Sequence, residues 1–543
     1  MIHAIYRHHG KFLLTLLSIA GSINIVTESA SALNITRLSS LGNSTIAANN
    51  FGSEIPAYDP ASRKLFLTGP NNRLDIADIS NPASPIPLPS IDLSSYGAGV
   101  NSVAIKNGIV AVAMEANPIT NNGSVVFFNT NGVFQSQVTV GALPDMLTFA
   151  PDGNRVLVAN EGEARGAIDP DGSVSIINLN LSSGILNPTV NTATFISFNG
   201  QENTLRSQGV RIFPGQTVSQ DVEPEYITVS DDGTTAWVSL QENNAIAVVD
   251  VANAQVTSIV PLGAKNFNAP GNGLDPSDQD GGVNINNWPV FGLYQPDTIA
   301  TVTIAGQTYL ITANEGDTRN EARRVSTLTL DPNAFPNAAN LKLTQNLGRL
   351  DVSTIDGLNA QGQYSQLFAY GGRSFSIWNV TTGLSQVFDS GDDFEQILAG
   401  FSATPLTASI FNSDGTPSSF DSRSDNRGPE PEGLAVGTVG NRLYSFVGIE
   451  RAGGFMVYDI TNPSNPLFTN YINDWQLGDI SPEGLLFIPA ADSPNGTPLL
   501  IVANEVSRNV AIYSVKPVPE PSAVLGLVTL GLAGYSLKKR GNC

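Results

Sequence analysis

Apolar residues along the chain come in short runs rich in Val, Ile and aromatic side chains, separated by Asp-Gly, Asn-Gly or Gly-Asn pairs. This pattern predicts strands joined by tight hairpins: branched and aromatic side chains suit a pleated, half-buried surface, and such pairs supply the backbone a two-residue turn needs. The runs recur as one cassette, in which a carboxylate opens a strand, a second strand closes in Glu and a third closes in Asp or Asn. Cassettes start at Glu54, Asn101, Pro144, Pro224, Pro296, Pro431 and Pro482, and third strands follow as GSVSIINL, AIAVVDV, SFSIWNV, GFMVYDI and NVAIYSV.

Seven strand-only cassettes predict an all-β fold, a seven-bladed β-propeller of the YVTN or WD40 kind with four-stranded blades and long loop insertions. The stretch SQLFAYGGRSFSIWNV at 365–380 reads either as the outer half of the fifth blade or as an eighth blade. A set of β-sandwiches is the competing architecture, but sandwiches seldom repeat the same charged positions in every unit. The run LNITRLSSL (33–41) has no cassette of its own and is expected to complete the last blade. Polar stretches at roughly 185–221, 254–293, 320–362 and 395–428 are insertions, long enough to imply a role.

In an antiparallel blade the first strand begins, and the second ends, on the same face of the disc. The opening carboxylates Glu54, Asp145, Glu225, Asp297, Glu432 and Glu483 are therefore expected to ring one channel mouth with the closing residues Glu115, Glu161, Glu242, Glu315, Glu450 and Glu505. Arg165, Arg319, Arg451 and Arg508 follow closing glutamates and belong on that rim, while Arg423 and Arg427 lie in DSRSDNRGPEPEG (421–433), which runs into an inner strand. So many carboxylates repel unless something positive sits among them. Either the arginines pair them off, or calcium occupies the mouth on ligands drawn from Glu161, Glu225, Glu315, Asp317, Glu432, Glu450, Glu483 and Glu505. In the second case Arg165, Arg319, Arg423, Arg427 and Arg451 are free to hold an anion. DPSDQDGGVNINN (275–287) gathers Asp275, Asp278 and Asp280 before a Gly-Gly turn, like a calcium loop, without the full spacing of one.

The ends restrict the chemistry. Residues 1–32 have a basic start, an apolar core and a closing Ala-Ser-Ala, as a secretory signal does. All three histidines fall there and the single cysteine is Cys543, so the segment between has neither. That excludes His-based triads, thiol chemistry, disulfides and nitrogen or sulfur metal sites, and leaves oxygen-bound metals. A net charge of −21 argues against a nucleic-acid partner. The other end, 517–543, places Pro519, Glu520 and Pro521 before an apolar stretch and then Lys538, Lys539 and Arg540. It resembles the PEP-CTERM sorting tail. The resemblance implies an exosortase-type processing enzyme, a membrane held through this segment before processing, and delivery to the envelope or the extracellular polysaccharide matrix.

Between the ends, VANEGEAR, TANEGDTR, DSRSDNRGPEPEGLAV and DISPEGLLF together resemble the choice-of-anchor I family of exported bacterial propellers, related to the mesenchyme-specific cell surface glycoprotein group. The likeness spans most of 34–516 and implies a surface protein. Some relatives carry an alkaline phosphatase label, and PEGL at 431–434 and 482–485 is similar to phytase-like esterase propellers. Residues 33–516 are thus expected to form a propeller acting as a calcium-holding binding or matrix module. The alternative is a calcium-dependent phosphoesterase in which carboxylate-held metal and rim arginines grip phosphate. A lyase or glycosidase could also draw on paired carboxylates, but nothing in the sequence sets their separation. An enzyme should converge a few charges on a pocket, whereas a scaffold should pair them off blade by blade.

Overall fold

A computed structural model describes residues 32–42, 54–182, 184–402 and 410–518. The signal segment up to residue 31 and the sorting residues Pro519, Glu520 and Pro521 lie outside these. The described chain is all-β and contains seven four-stranded antiparallel sheets. In the first, Pro56–Asp59, Lys64–Gly69, Arg73–Asp78 and Ile86–Asp92 pair in chain order, and the next three repeat that simple up-and-down order. The inner strands of successive sheets touch one another, and Pro482–Ile488 of the last touches Pro56–Asp59 of the first, which is the arrangement of a β-propeller.

Apolar side chains fill the spaces between sheets, as alternating strands covered on both faces require. Phe66 and Leu74 of the first sheet pack with Val112 and Phe128 of the second, and Leu65 and Leu67 pack with Ile501 and Ile512 of the last. The expected fastening is present: Leu33–Leu41 pairs antiparallel with Asn509–Pro517, with Leu33 opposite Pro517 and Leu41 opposite Val510. The last sheet is thereby completed by the earliest described segment.

Within 365–380, Ser374–Asn379 is the third strand of the fifth sheet, while Phe368–Ala369 pairs in parallel with Phe291–Leu293 in a separate three-stranded sheet. Ile299–Ile304, Gln307–Asn314, Ser374–Asn379 and Ser385–Asp389 are the four strands of the fifth sheet. The insertion between its second and third strands joins the earlier 264–293 stretch around a small core of its own, including Phe267, Leu274, Leu347, Leu350 and Leu367. The acidic run 389–396 opens a helix, Asp393–Ser402, whose Phe394 and Leu398 are buried. Among the described residues no helix is long and apolar enough to cross a membrane.

Removing residues 32–42 should strip the edge of Asn509–Pro517 and uncover Val510 and Ile512. The truncated chain is expected to melt at lower temperature and to self-associate in size-exclusion chromatography; an unchanged melt and a monomeric profile would show that this strand is dispensable.

Candidate functional site

The carboxylates reach the channel through a repeated backbone device. Leu143, Gln295, Glu430 and Ser481 each precede a strand-opening proline and hold positive φ values of 47°, 42°, 53° and 59°. Non-glycine residues adopt this region at a cost and keep it only where their surroundings enforce it. Here the turned carbonyls are used. Those of Leu143, Glu430 and Ser481 accept from the backbone N–H of Glu161, Glu450 and Glu505 at 2.8, 2.9 and 2.8 Å, and that of Gln295 accepts from Gly316 at 3.0 Å. Strand start and strand end are thus tied together at the mouth.

Pairing then slips between Pro144 and Leu147, Pro224 and Ile227, Pro431 and Leu434, and Pro482 and Leu485. Asp145, Glu225, Glu432 and Glu483 sit in these irregularities, where a bulge re-aims a side chain that a regular strand would commit to a sheet face. In the two Pro-Glu-Gly openings the glycine is demanded by close approach. A Cβ on Gly433 would stand 2.2 Å from the carbonyl oxygen of Glu483, and one on Gly484 would stand 2.1 Å from that of Glu54. The PEGL repeat therefore has a packing reason in this chain.

The result is a polar cavity of about 780 Å³. It is lined by Asp145, Glu161, Glu225, Glu242, Asp297, Glu315, Glu432, Glu450, Glu483 and Glu505 of the expected ring, with Asp317, Arg165, Arg319, Arg427 and Arg451. Four expected rim residues lie elsewhere. Glu54 faces a smaller cavity of about 230 Å³ that shares Asp145, Asp297 and Glu483. Glu115 and Arg508 are outside the lining; the Glu115 carboxylate packs against Gly99, whose missing side chain makes room for it. Arg423 also lies outside and is engaged by Glu430, to which its Nε donates at 2.7 Å.

Charge in the mouth is unevenly distributed. Arg319 meets Glu223 at 2.7 Å, Asp221 at 3.3 Å and Glu242 at 3.6 Å, with Phe213 beneath its guanidinium at 4.9 Å. Arg427 bridges Glu315 at 2.9 Å, Asp317 at 3.1 Å and Glu430 at 2.9 Å, and Arg451 pairs with Glu450 at 2.9 Å. The exposed Arg165 is taken by Glu163. Asp145, Glu161, Glu225, Asp297, Glu432 and Glu483, by contrast, make no ion pair among the described residues. Glu225 and Glu432 each keep one carboxylate oxygen buried without a hydrogen-bond partner. Oxygens of Asp297, Glu315 and Glu432 all lie within 4.8 Å of one another, as do those of Glu315, Glu430 and Glu450.

Burial first, and neighbouring carboxylates second, push these groups up. Asp145 rises to about 7 beside Glu115, and Glu483 to about 8 beside Glu505 and Glu54. Glu450 rises to about 9 beside Glu315 and Glu430, while Glu161, Glu225, Asp297 and Glu432 stand well above the usual range. Glu315 rises to about 7 by burial, with Arg427 opposing the shift.

Of the residues just outside the strand openings, the sequence reading brought Glu430 to the mouth within 421–433 without giving it a role, and it missed Glu223. Glu430 is fully buried and gathers Arg423, Arg427 and Arg451, and Glu223 anchors Arg319. The signal was legible: Glu-Pro-Glu occurs at 223–225 and again at 430–432, a carboxylate on each side of the turned proline.

Two outcomes follow from these charges. A carboxylate raised in the folded state is protonated there at pH values where the unfolded chain has already ionised, so its contribution is complete below the unfolded pKa of about 4 and is lost as pH rises through the folded value. Chelator-treated protein should therefore melt at falling temperature from about pH 5 to about pH 9, and excess calcium should flatten that slope; a metal-free melt that rises with pH would contradict the charge arrangement. Glu430→Gln should cost about 3–5 kcal/mol in urea unfolding, since it takes the charge from a fully buried carboxylate shared by three half-buried arginines. Asp414→Asn, at the exposed end of the Arg451 pairing, should cost less than about 1 kcal/mol.

Gigasin-3a of Magallana gigas is 31% identical over 194 residues, covering 32% of this chain and 68% of that protein. The mesenchyme-specific cell surface glycoprotein of Strongylocentrotus purpuratus is 30% identical over 337 residues, covering 52% of this chain and 42% of that protein, so the chain spans less than half of that relative. Among solved structures, the β-propeller domain of Myceliophteria thermophila Cps50 (Swd1) aligns over 89% of this chain and 100% of that one, at 7% identity and a TM-score of 0.46. Residues 517–540 match the PEP-CTERM protein-sorting motif, which marks the protein as exported to the cell envelope or beyond and handled by an exosortase-type enzyme at its C-terminal segment. The choice-of-anchor I domain matches residues 54–463, well over half the chain, and the protein belongs to the choice-of-anchor I family.

Proposed function

We propose that residues 33–516, between a signal at 1–32 and a sorting tail at 517–543, form a seven-bladed propeller that acts as a surface-held binding or matrix module by holding calcium in its acidic mouth. The observation that carries this reading is the set of carboxylates left without a cation, above all Glu225 and Glu432 with their unpartnered buried oxygens. A hard divalent cation bound by oxygen ligands supplies the missing charge, and calcium tolerates the irregular geometry that strands from different sheets impose. Further support is the cluster of Asp297, Glu315 and Glu432, brought from two sheets to within one coordination sphere. An acidic polysaccharide of the envelope is the fitting partner, since calcium exposed at a channel mouth bridges protein carboxylates to sugar carboxylates.

The phosphoesterase reading needs arginines available to grip a phosphoryl group. Arg319, Arg427 and Arg451 each already serve one or more carboxylates, so an anion would have to displace protein ligands. This favours binding over turnover.

Calorimetric titration of the metal-stripped protein with calcium tests the proposal. Saturable binding is expected, weakened about tenfold, or ~1.4 kcal/mol, by Glu225→Gln and by Glu432→Gln and left unchanged by Glu202→Gln on an exposed helix. Equal effects at all three positions would remove the proposed site. Chelator-sensitive hydrolysis of a phosphomonoester or phosphodiester by the same sample, impaired by Arg319→Ala, would replace the binding-module reading with the phosphoesterase.

A further inference from the structure

A second carboxylate cluster lies where two insertions meet, formed by residues separate from those of the mouth. Asp275 and Asp280 come from the stretch before the fifth sheet, and Asp421 comes from the segment leading into the sixth. Oxygens of all three lie within 4.8 Å of one another. Calcium binds oxygen at about 2.3–2.6 Å, so its shell is about 5 Å across, and these groups already stand at that spacing.

Their surroundings hold them without neutralising them. Asp275 is fully buried and accepts from the backbone N–H of Asn284 at 2.6 Å and of Ser277 at 3.2 Å. Asp421 is 4% exposed and accepts from Ser424 Oγ at 2.5 Å. None of the three carboxylates pairs with an arginine or lysine among the described residues. The nearby cations are used elsewhere: Arg349 takes Asp278 and Asp425, and Arg373 takes Glu395.

Two buried oxygens have no partner, one on the cluster itself and one on Asn412, which is linked to Asp421 through Ser424. Asp280 Oδ2 is buried and unbonded. Asn412, which is 0% exposed, donates through Nδ2 to the same Ser424 Oγ that Asp421 holds, at 2.9 Å, leaving its carbonyl Oδ1 buried and unpartnered. Burying a carboxylate and a carbonyl oxygen with nothing to donate to them is costly unless a cation takes that role. Burial also raises Asp275 to about 8, with Glu395 adding to it, and raises Asp421 to about 7.

We propose that Asp275, Asp280 and Asp421 form a second calcium site, which staples the 264–293 insertion to the 410–430 segment. That segment also carries Arg427, which lines the mouth, and its partner Glu430, so the staple fixes the base from which Arg427 enters the mouth. Asp278, two residues from Asp280, belongs to the Arg349 pair and takes no part in the site.

The test is calcium binding by the intact protein, read by calorimetry and by anomalous diffraction from calcium-grown crystals. Asp280→Asn should lose one equivalent of calcium, while Asp278→Asn retains it. The Glu225→Gln, Glu432→Gln double variant should keep the equivalent at this site even if the mouth loses its own, which separates failure here from failure of the mouth. An anomalous peak among Asp275, Asp280 and Asp421 in the unaltered protein supports the site even if Asp280→Asn does not fold. Unchanged stoichiometry in a folded Asp280→Asn variant, or an anomalous map without a peak there, would overturn it.

Discussion

Repulsion among desolvated carboxylates is the constraint around which the mouth is organised. Asp145, Glu161, Glu225, Asp297, Glu432 and Glu483 are brought inward by the same strand openings and endings that assemble the ring, so the fold cannot form without gathering them. Like charges in a low-dielectric channel cannot all remain ionised without a counter-charge. The backbone adds a cost of its own, since four residues before the opening prolines are held at positive φ. A regular strand start would avoid both penalties. Their repetition from sheet to sheet identifies the convergence of charge as a purpose of the repeat rather than an accident of one blade.

How far this was legible depends on the range of each signal. Strands, hairpins and the completion of the last sheet by 33–41 are written in local patterns, because side-chain alternation and turn residues act over a few positions. The ring followed from antiparallel geometry alone, which has one place for a strand start and its partner's end. The pairing did not follow: Arg427 reaches Glu315 and Asp317 more than a hundred residues away, and nothing local tells it from Arg423, which stops at Glu430. Glu115 was misplaced for a similar reason. Its cassette opens with Asn101 in place of a carboxylate, and Gly99 leaves a recess that draws the side chain aside. The insertions carry weak periodicity, and their small core around Phe267, Leu347 and Leu350 forms only when two distant stretches meet.

Those insertions explain why the mouth is not symmetric. The repeated cassette supplies carboxylates all round, but the cations that neutralise them arrive mainly with added sequence. Arg319 follows the second strand of the fifth sheet, and Arg427 ends the insertion before the sixth. Arg211, from the long loop before the fourth sheet, pairs with Glu321 and Asp356 at 2.9 Å each and braces the same side. In the fourth, fifth and sixth sheets the closing glutamates Glu242, Glu315 and Glu450 are consequently held by arginines, while Glu225, Asp297 and Glu432 at the strand openings of the same sheets make no ion pair among the described residues.

That division bears on how such a module can recognise anything. A ring of bare carboxylates alone would bind cations at many equivalent positions, with little preference for a ligand's orientation. A fully paired ring would bind none. Setting arginine-held glutamates beside unpaired carboxylates within the same sheets restricts where free oxygen ligands face the channel. Buried ion pairs are weak contributors to stability once desolvation is counted, so the arginine pairs are better understood as holding geometry than as strengthening the fold.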